Sequence, residues 1–194
     1  MIKHILFIVF CVGFWTAPVY ADQTSGRLDG LFDRLQRADN HAQASNIQHQ
    51  IWTIWGLPQD RKASVPFAQG VIAMKHGDLE TARSYFDDVV RIAPRFAEGW
   101  NKRATVAYAL GDLDASVLDI QKTIALEPRH FGAMAGLALI QMAYGLHESA
   151  LDILNKIKEI HPHMPGIDDW MQNTREQICL LYTSPSPRDV EETR

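Results

Sequence analysis

Cysteine is nearly missing from this chain. Its 194 residues include Cys11 and Cys179 alone, each near an end, so the long middle has no disulfide framework, no Cys-ligated metal and no Cys nucleophile. Charge of one sign is lacking too. Lysine and arginine number 19 against 23 acidic residues, a net charge of −4 with no basic stretch. That excludes the clustered positive face that nucleic-acid phosphates demand, and it gives no reason to expect an anionic membrane partner. The longest apolar run, Ile5 to Trp15, falls short of the roughly 20 residues that span a bilayer. Catalytic signatures are absent as well: there is no Gly-x-Ser-x-Gly, no phosphate loop and no His-Glu-x-x-His. The acidic pairs Asp87-Asp88 and Asp168-Asp169 fall on faces that amphipathic helices give to water. The expectation is a protein that is not an enzyme and carries no cofactor and no metal.

The two ends stand apart from the middle. Lys3 and His4 precede the apolar run, followed by Pro18 and then Val19-Tyr20-Ala21, with small residues where a signal peptidase cuts. Residues 1–21 therefore read as a cleaved secretory signal, which places the mature chain in the periplasm with no membrane insertion after cleavage. At the other end, Cys179 to Asp189 resembles the translation of a sequencing adapter. Its two Ser-Pro steps break the helical period, so residues 179–194 are expected to form a disordered tail.

Between these ends a period is written plainly. Pro94, Pro128 and Pro162 stand 34 residues apart, and Gly77, Gly111 and Gly145 keep the same step. A period of that length, with one turn glycine and one terminal proline per unit, marks a helix–turn–helix array. Three units follow, 63–96, 97–130 and 131–164. In each, helix A leads to a tight turn, and helix B stops at a proline, which lacks the amide and clashes with the preceding turn. Gly70, Ala104 and Ala138 align, as do Ala82, Ser116 and Ala150; these small residues allow the two helices to approach closely. Phe86, Ile120 and Leu154 align as the large residue of helix B, and Trp100 takes the bulky early position that Pro66 and Met134 hold in the neighbouring units. Proline is comfortable only in a helix's first turn, so helix A of the first unit is expected to start near Pro66.

Taken together, these positions resemble the tetratricopeptide repeat family. Departures include Ala73, Ala107 and Gln141 where the family often has Tyr, and Val89, Thr123 and Ile157 at the later small position. The fold so implied is an all-α, right-handed superhelical stack. Trp100 to Ala104 and Leu126 to Ala133 resemble exported members common in alphaproteobacteria. Before the repeats, residues 22–62 form a divergent helical pair. Leu28, Leu31, Phe32 and Leu35 make one apolar stripe and Ile47, Ile51, Ile54 and Trp55 another, which reads as an N-terminal cap or degenerate repeat. After them, Ile167, Trp170, Met171, Thr174 and Ile178 trace a capping helix over 165–178, which shields the last unit's apolar face.

The family resemblance also implies where partners bind. Its second, fifth, ninth and twelfth helix A positions line the concave wall, which here means Ser64, Phe67, Val71 and Met74, then Glu98, Asn101, Thr105 and Tyr108, then Gly132, Ala135, Leu139 and Met142. Phe67, Val71, Met74, Asn101, Thr105, Tyr108, Leu139 and Met142 are the expected partner-binding groove, suited to protein or peptide segments of apolar character. One version of the fold grips a C-terminal carboxylate with Lys, Asn and Arg. This chain has Phe67, Val71, Lys102, Gly132 and Gly136 at the corresponding places, so only Lys102 supplies charge. An alternative reading is a periplasmic metal or small-ligand carrier using the groove or the His161, His163, Met164 cluster, which suits a soft or borderline metal. His76, His130 and His147 near unit junctions are expected to be solvated or locally hydrogen-bonded. The sequence assigns no oligomeric state. Exported chain should begin at Asp22; intact-mass analysis that instead finds Met1 retained in a membrane fraction would remove the periplasmic assignment.

Overall fold

The computed structural model describes residues 26–183, so the expected signal segment and its cleavage site lie outside the described residues. Nine helices are described: α1 (Gly26–Gln36), α2 (His41–Trp55), α3 (Arg61–Lys75), α4 (Leu79–Ile92), α5 (Ala97–Ala109), α6 (Leu113–Leu126), α7 (Phe131–Ala143), α8 (His147–Ile160) and α9 (Ile167–Thr183). No strand occurs among the described residues. The three repeat units are α3–α4, α5–α6 and α7–α8, stacked in order, with α9 on the last.

Each hairpin turns on its glycine. Gly77, Gly111 and Gly145 have φ of 78°, 82° and 72°, a left-handed conformation in which a side chain is strained. The next amide then reaches back to the carbonyl five residues earlier: Asp78 N–H to Ala73 O at 3.0 Å, Asp112 to Ala107 at 2.9 Å and Leu146 to Gln141 at 2.8 Å. Carbonyls at the end of helix A are thereby satisfied. Asp78 and Asp112 also cap the following helix, accepting from Thr81 and Ala115 amides. Between the helices, a methyl group at Gly70 would sit 2.8 Å from the Phe86 ring. That close approach is why the first unit has no side chain there.

Two boundaries differ from expectation. Helix α3 starts at Arg61, one turn before the expected start near Pro66, because Asp60 accepts the Lys62 amide at 2.9 Å and supplies the cap. Pro66 is tolerated inside it at the cost of a single ladder bond. At the other end, α9 continues through Thr183, so residues 179–183 are helical and not part of a disordered tail. Ile167, Met171 and Thr174 are buried on its expected face, and the helical register carries on past Ile178 without a breaker until Ser184.

The largest difference is the place of the N-terminal pair. It does not stack ahead of α3; α2 makes no extended packing with α3, while α1 packs on α8. Instead the pair folds back as a strap along the row of inter-repeat links. His41 Nδ1 meets the His163 carbonyl at 2.9 Å, His161 Nε2 meets Gln48 Oε1 at 2.7 Å, and Trp52 and Trp55 pack on His130 and Phe131. On its outer side, Arg129 bridges to Asp29 at 2.8 Å and stacks over Phe32, and Gln36 donates to the Glu159 carbonyl. The two apolar stripes read from the sequence are buried here: Leu28, Leu35, Ile47, Ile51 and Trp55 join Phe131, Leu154, Ile157, Ile167 and Met171 in one core. A stripe fixes that a helix is buried, but not against which neighbour.

Trp55 is the anchor of this strap, fully buried and stacked on His130 with ring centroids 4.1 Å apart. Its indole N–H has no hydrogen-bond partner among the described residues. Trp55→Ala should therefore cost about 3–5 kcal/mol in urea unfolding followed by circular dichroism, and Trp55→Phe, which discards the unpaired N–H, should cost far less. Equal and small effects of both would show that the strap is not docked as described.

Candidate functional site

Small residues face one another where α5 meets α7. Ala104, Gly132, Ala133, Ala135 and Gly136 leave a cleft of about 240 Å³, floored by Ser116 and Ile120 of α6. Tyr108 and Leu139 rise at its mouth, 40% and 44% exposed, and Thr105 and Asn101 line the α5 side. The Thr105 hydroxyl is spent on the Asn101 carbonyl at 2.8 Å and the Ser116 hydroxyl on the Ala104 carbonyl at 2.9 Å. What remains open is mostly carbon surface with the Tyr108 hydroxyl at its edge.

The strap comes up to the cleft's edge at Gly132. Trp52 lies so near Gly132 that a methyl group there would come within 2.6 Å of the indole. Behind it sits a buried polar network. Glu98 accepts from Asn101 Nδ2 at 2.9 Å, from Lys102 Nζ at 3.1 Å and from His130 Nε2–H at 3.0 Å. His130 Nδ1 must be the bare nitrogen, since it accepts the Ala133 amide at 3.1 Å and so caps α7. Burial pushes the Glu98 pKa up, but the hydrogen bond from His130, together with the charge and hydrogen bond of Lys102, holds it below the ordinary value. Lys102 also lies over the Trp52 ring at 5.7 Å. The charge that a carboxylate ligand would need is therefore already held by Glu98.

The eight groove residues expected from the sequence divide. Asn101, Thr105, Tyr108 and Leu139 converge on this cleft, with Asn101 itself buried. Phe67 instead turns into the core of the first unit, its ring 5.0 Å from Phe96 and 6.0 Å from Phe86, and Val71 and Met74 pack partly buried against the same cluster. Met142 is taken up by α9: its sulfur accepts from Trp170 Nε1 at 2.9 Å. Trp52 and the His130 network went unread in the sequence, because nothing local marks α2 as a neighbour of the third unit.

The second cluster singled out in the sequence lies at the far end of the strap. His161 is fully buried, and the structure adds His41, whose ring is 5.4 Å from that of His163. Among the described residues no group of three His, Cys, Asp or Glu side chains is placed to hold a metal ion. A second hollow of about 380 Å³ lies over Trp100, with Arg103 stacked on the indole at 4.8 Å. Arg103 there pairs with Asp119 at 2.7 Å and with Asp87 at 2.9 Å.

A family model described as tetratricopeptide repeat matches residues 67–122 and 101–165. The chain belongs to the tetratricopeptide repeat family. A TPR repeat-containing protein of Rhizobium etli is 30% identical over 136 residues, 70% of this chain and 67% of that protein. Tetratricopeptide repeat protein 36 of Danio rerio is 33% identical over 84 residues, 43% of this chain and 44% of its own. Among solved structures, the Sgt2 TPR domain of Aspergillus fumigatus superposes with TM-score 0.61 at 17% identity, covering 68% of this chain and 88% of that domain. The TPR2B domain of yeast Sti1, in its pHsp70 complex, gives 0.54 at 24% identity, covering 60% and 98%. These likenesses establish the superhelical TPR fold, a scaffold that supports protein–protein interaction.

Acid should loosen the strap of this TPR protein at its histidine end. Burial, then the neighbouring His163 and His41, lower the His161 pKa from 6.5 to about 4. The unfolded chain therefore binds more protons across that window, and stability falls as pH drops from about 6.5 to about 4. Below its ordinary 4.5, protonation of Glu98 removes a further contribution, because its folded pKa is depressed. Melting temperature measured against pH should show the upper phase, and His161→Leu should flatten it. A pH profile unchanged by His161→Leu would refute the assignment.

Proposed function

We propose that this chain is a periplasmic adaptor that holds short, uncharged apolar segments of other proteins in the cleft between α5 and α7. The observation that carries the reading is the state of Lys102: it is paired with Glu98 and laid over Trp52, so the cleft offers carbon surface and one hydroxyl but no available cation. A partner reading its way in through side chains of low polarity fits such a site, and an acidic C-terminus does not. The solved TPR2B domain of Sti1 is in complex with pHsp70, which supports a peptide-like occupant for this fold while the charge of the wall separates this chain from a carboxylate grip. The periplasmic assignment rests on the signal-like residues 1–21.

Tyr108 is the decisive residue. It is half-exposed at the mouth of the cleft, so Tyr108→Ala should cost about 1 kcal/mol or less in stability while removing an aromatic anchor worth about 2 kcal/mol or more in binding. A photoreactive phenylalanine analogue at Tyr108, in cells that export the chain, should crosslink to neutral apolar segments of a partner, and the same group at the convex Leu118 should not. Crosslinks from Leu118 alone, with partner capture unaffected by Tyr108→Ala, would move recognition to the other face.

A further inference from the structure

Register supplies an internal comparison for α3. Val65 aligns with Gly99 and Ala133, and Ile72 aligns with Val106 and Ile140, each a 34-residue step. In the second and third units these positions are covered by the unit before. Val106 is fully buried among first-unit residues such as Phe86 and Val89, and Ile140 among Ala104 and Ile120 of the second. A methyl group on Gly99 would touch Val89 at 2.7 Å. In the first unit the same two positions are 69% and 48% exposed, because the strap that could have covered them lies along the links instead.

The uncovered face has its own chemistry. Val65, Ala68 and Ile72 form an apolar ridge at helical spacing, with exposed Arg61 and Lys62 at one end and exposed Lys75 at the other. No Asp or Glu lies within α3. The acids that flank the helix in sequence, Asp60 and Asp78, are engaged in capping, and none of the three cations forms an ion pair among the described residues. We infer that this face is a docking surface for an acidic amphipathic helix of another protein, which takes the place that helix B of a preceding unit would hold. A second copy of this chain docking α3 on α3 would set Arg61 and Lys62 against Lys75, like charge on like, which disfavours it. An apolar ridge fits a helix lying along it, and the terminal cations select acidic flanks.

The test uses the full chain and two stapled helical peptides with the same apolar stripe, one flanked by Glu and one by Lys, followed by fluorescence anisotropy. The acidic peptide should bind saturably and its basic twin at least about tenfold more weakly. Val65→Asp with Ile72→Asp, and separately Lys62→Glu with Lys75→Glu, should each weaken the acidic peptide by at least about tenfold with helicity retained, since all four positions are exposed. If one pair disturbs folding, the other decides. Equal binding of both peptides, or undiminished binding to the folded Val65→Asp, Ile72→Asp variant, overturns the inference. So does co-sedimentation with phosphatidylserine vesicles that this variant abolishes, which would assign the face to a membrane. A dimer in sedimentation that the same variant dissolves would assign it to a second copy.

Discussion

A stacked pair of rings, Trp55 on His130, holds this molecule's unusual arrangement together. His130 ends the link between the second and third units, caps α7 through one ring nitrogen and donates to Glu98 through the other, so its ring has no freedom to turn. Trp55 can therefore lie flat against it, 7° from parallel, and the rest of α2 follows. With Trp55 seated, Trp52 reaches Gly132 and Lys102, and the strap's apolar stripe meets Leu154 and Ile157. Each of these contacts depends on an imidazole fixed by two hydrogen bonds in a buried, low-dielectric place, where leaving either bond unmade would be costly.

From that latch come both faces of the protein that deserve functional interest. Where the strap lies, Trp52 meets Gly132 at the edge of the α5–α7 cleft and sits beneath Lys102. Where the strap does not lie, it leaves α3 without the layer that every later helix A has. A single choice of packing thus converts a regular array into one with a tryptophan beside the α5–α7 cleft and an apolar face flanked by cations at one end. The fold's periodicity would have made the units alike; the strap makes them different.

Much of the architecture was legible in the sequence because its causes are local. The turn glycines, the proline stops and the aligned Gly70, Ala104 and Ala138 report backbone conformation and helix spacing within a few residues, and the α9 face from Ile167 to Thr174 is plain amphipathic periodicity. The expected concave residues fared unevenly for reasons that are not local. Thr105, Tyr108 and Leu139 line a cleft because small residues on both helices keep it open, whereas Phe67 finds Phe86 and Phe96 on its own side, and Met142 meets a Trp170 that lies beyond the repeats. The return of α1 and α2 was illegible in principle from one sequence, since an apolar stripe such as Leu28, Leu31, Phe32 and Leu35 specifies burial and is silent on the partner.

The strap also changes how the chain must come together. An ordinary repeat array is quasi-one-dimensional, so its contacts are local and folding can begin in any unit and spread. Here Asp29 meets Arg129 across 100 residues of sequence, Gln48 meets His161 across 113, and Gln36 meets Glu159 across 123. Ring closure of that span carries an entropic cost that local helix pairing avoids, and such contacts are associated with slower folding. The strap can seat only on α7 and α8, which ties the fate of the chain's N-terminal helices to its final repeat.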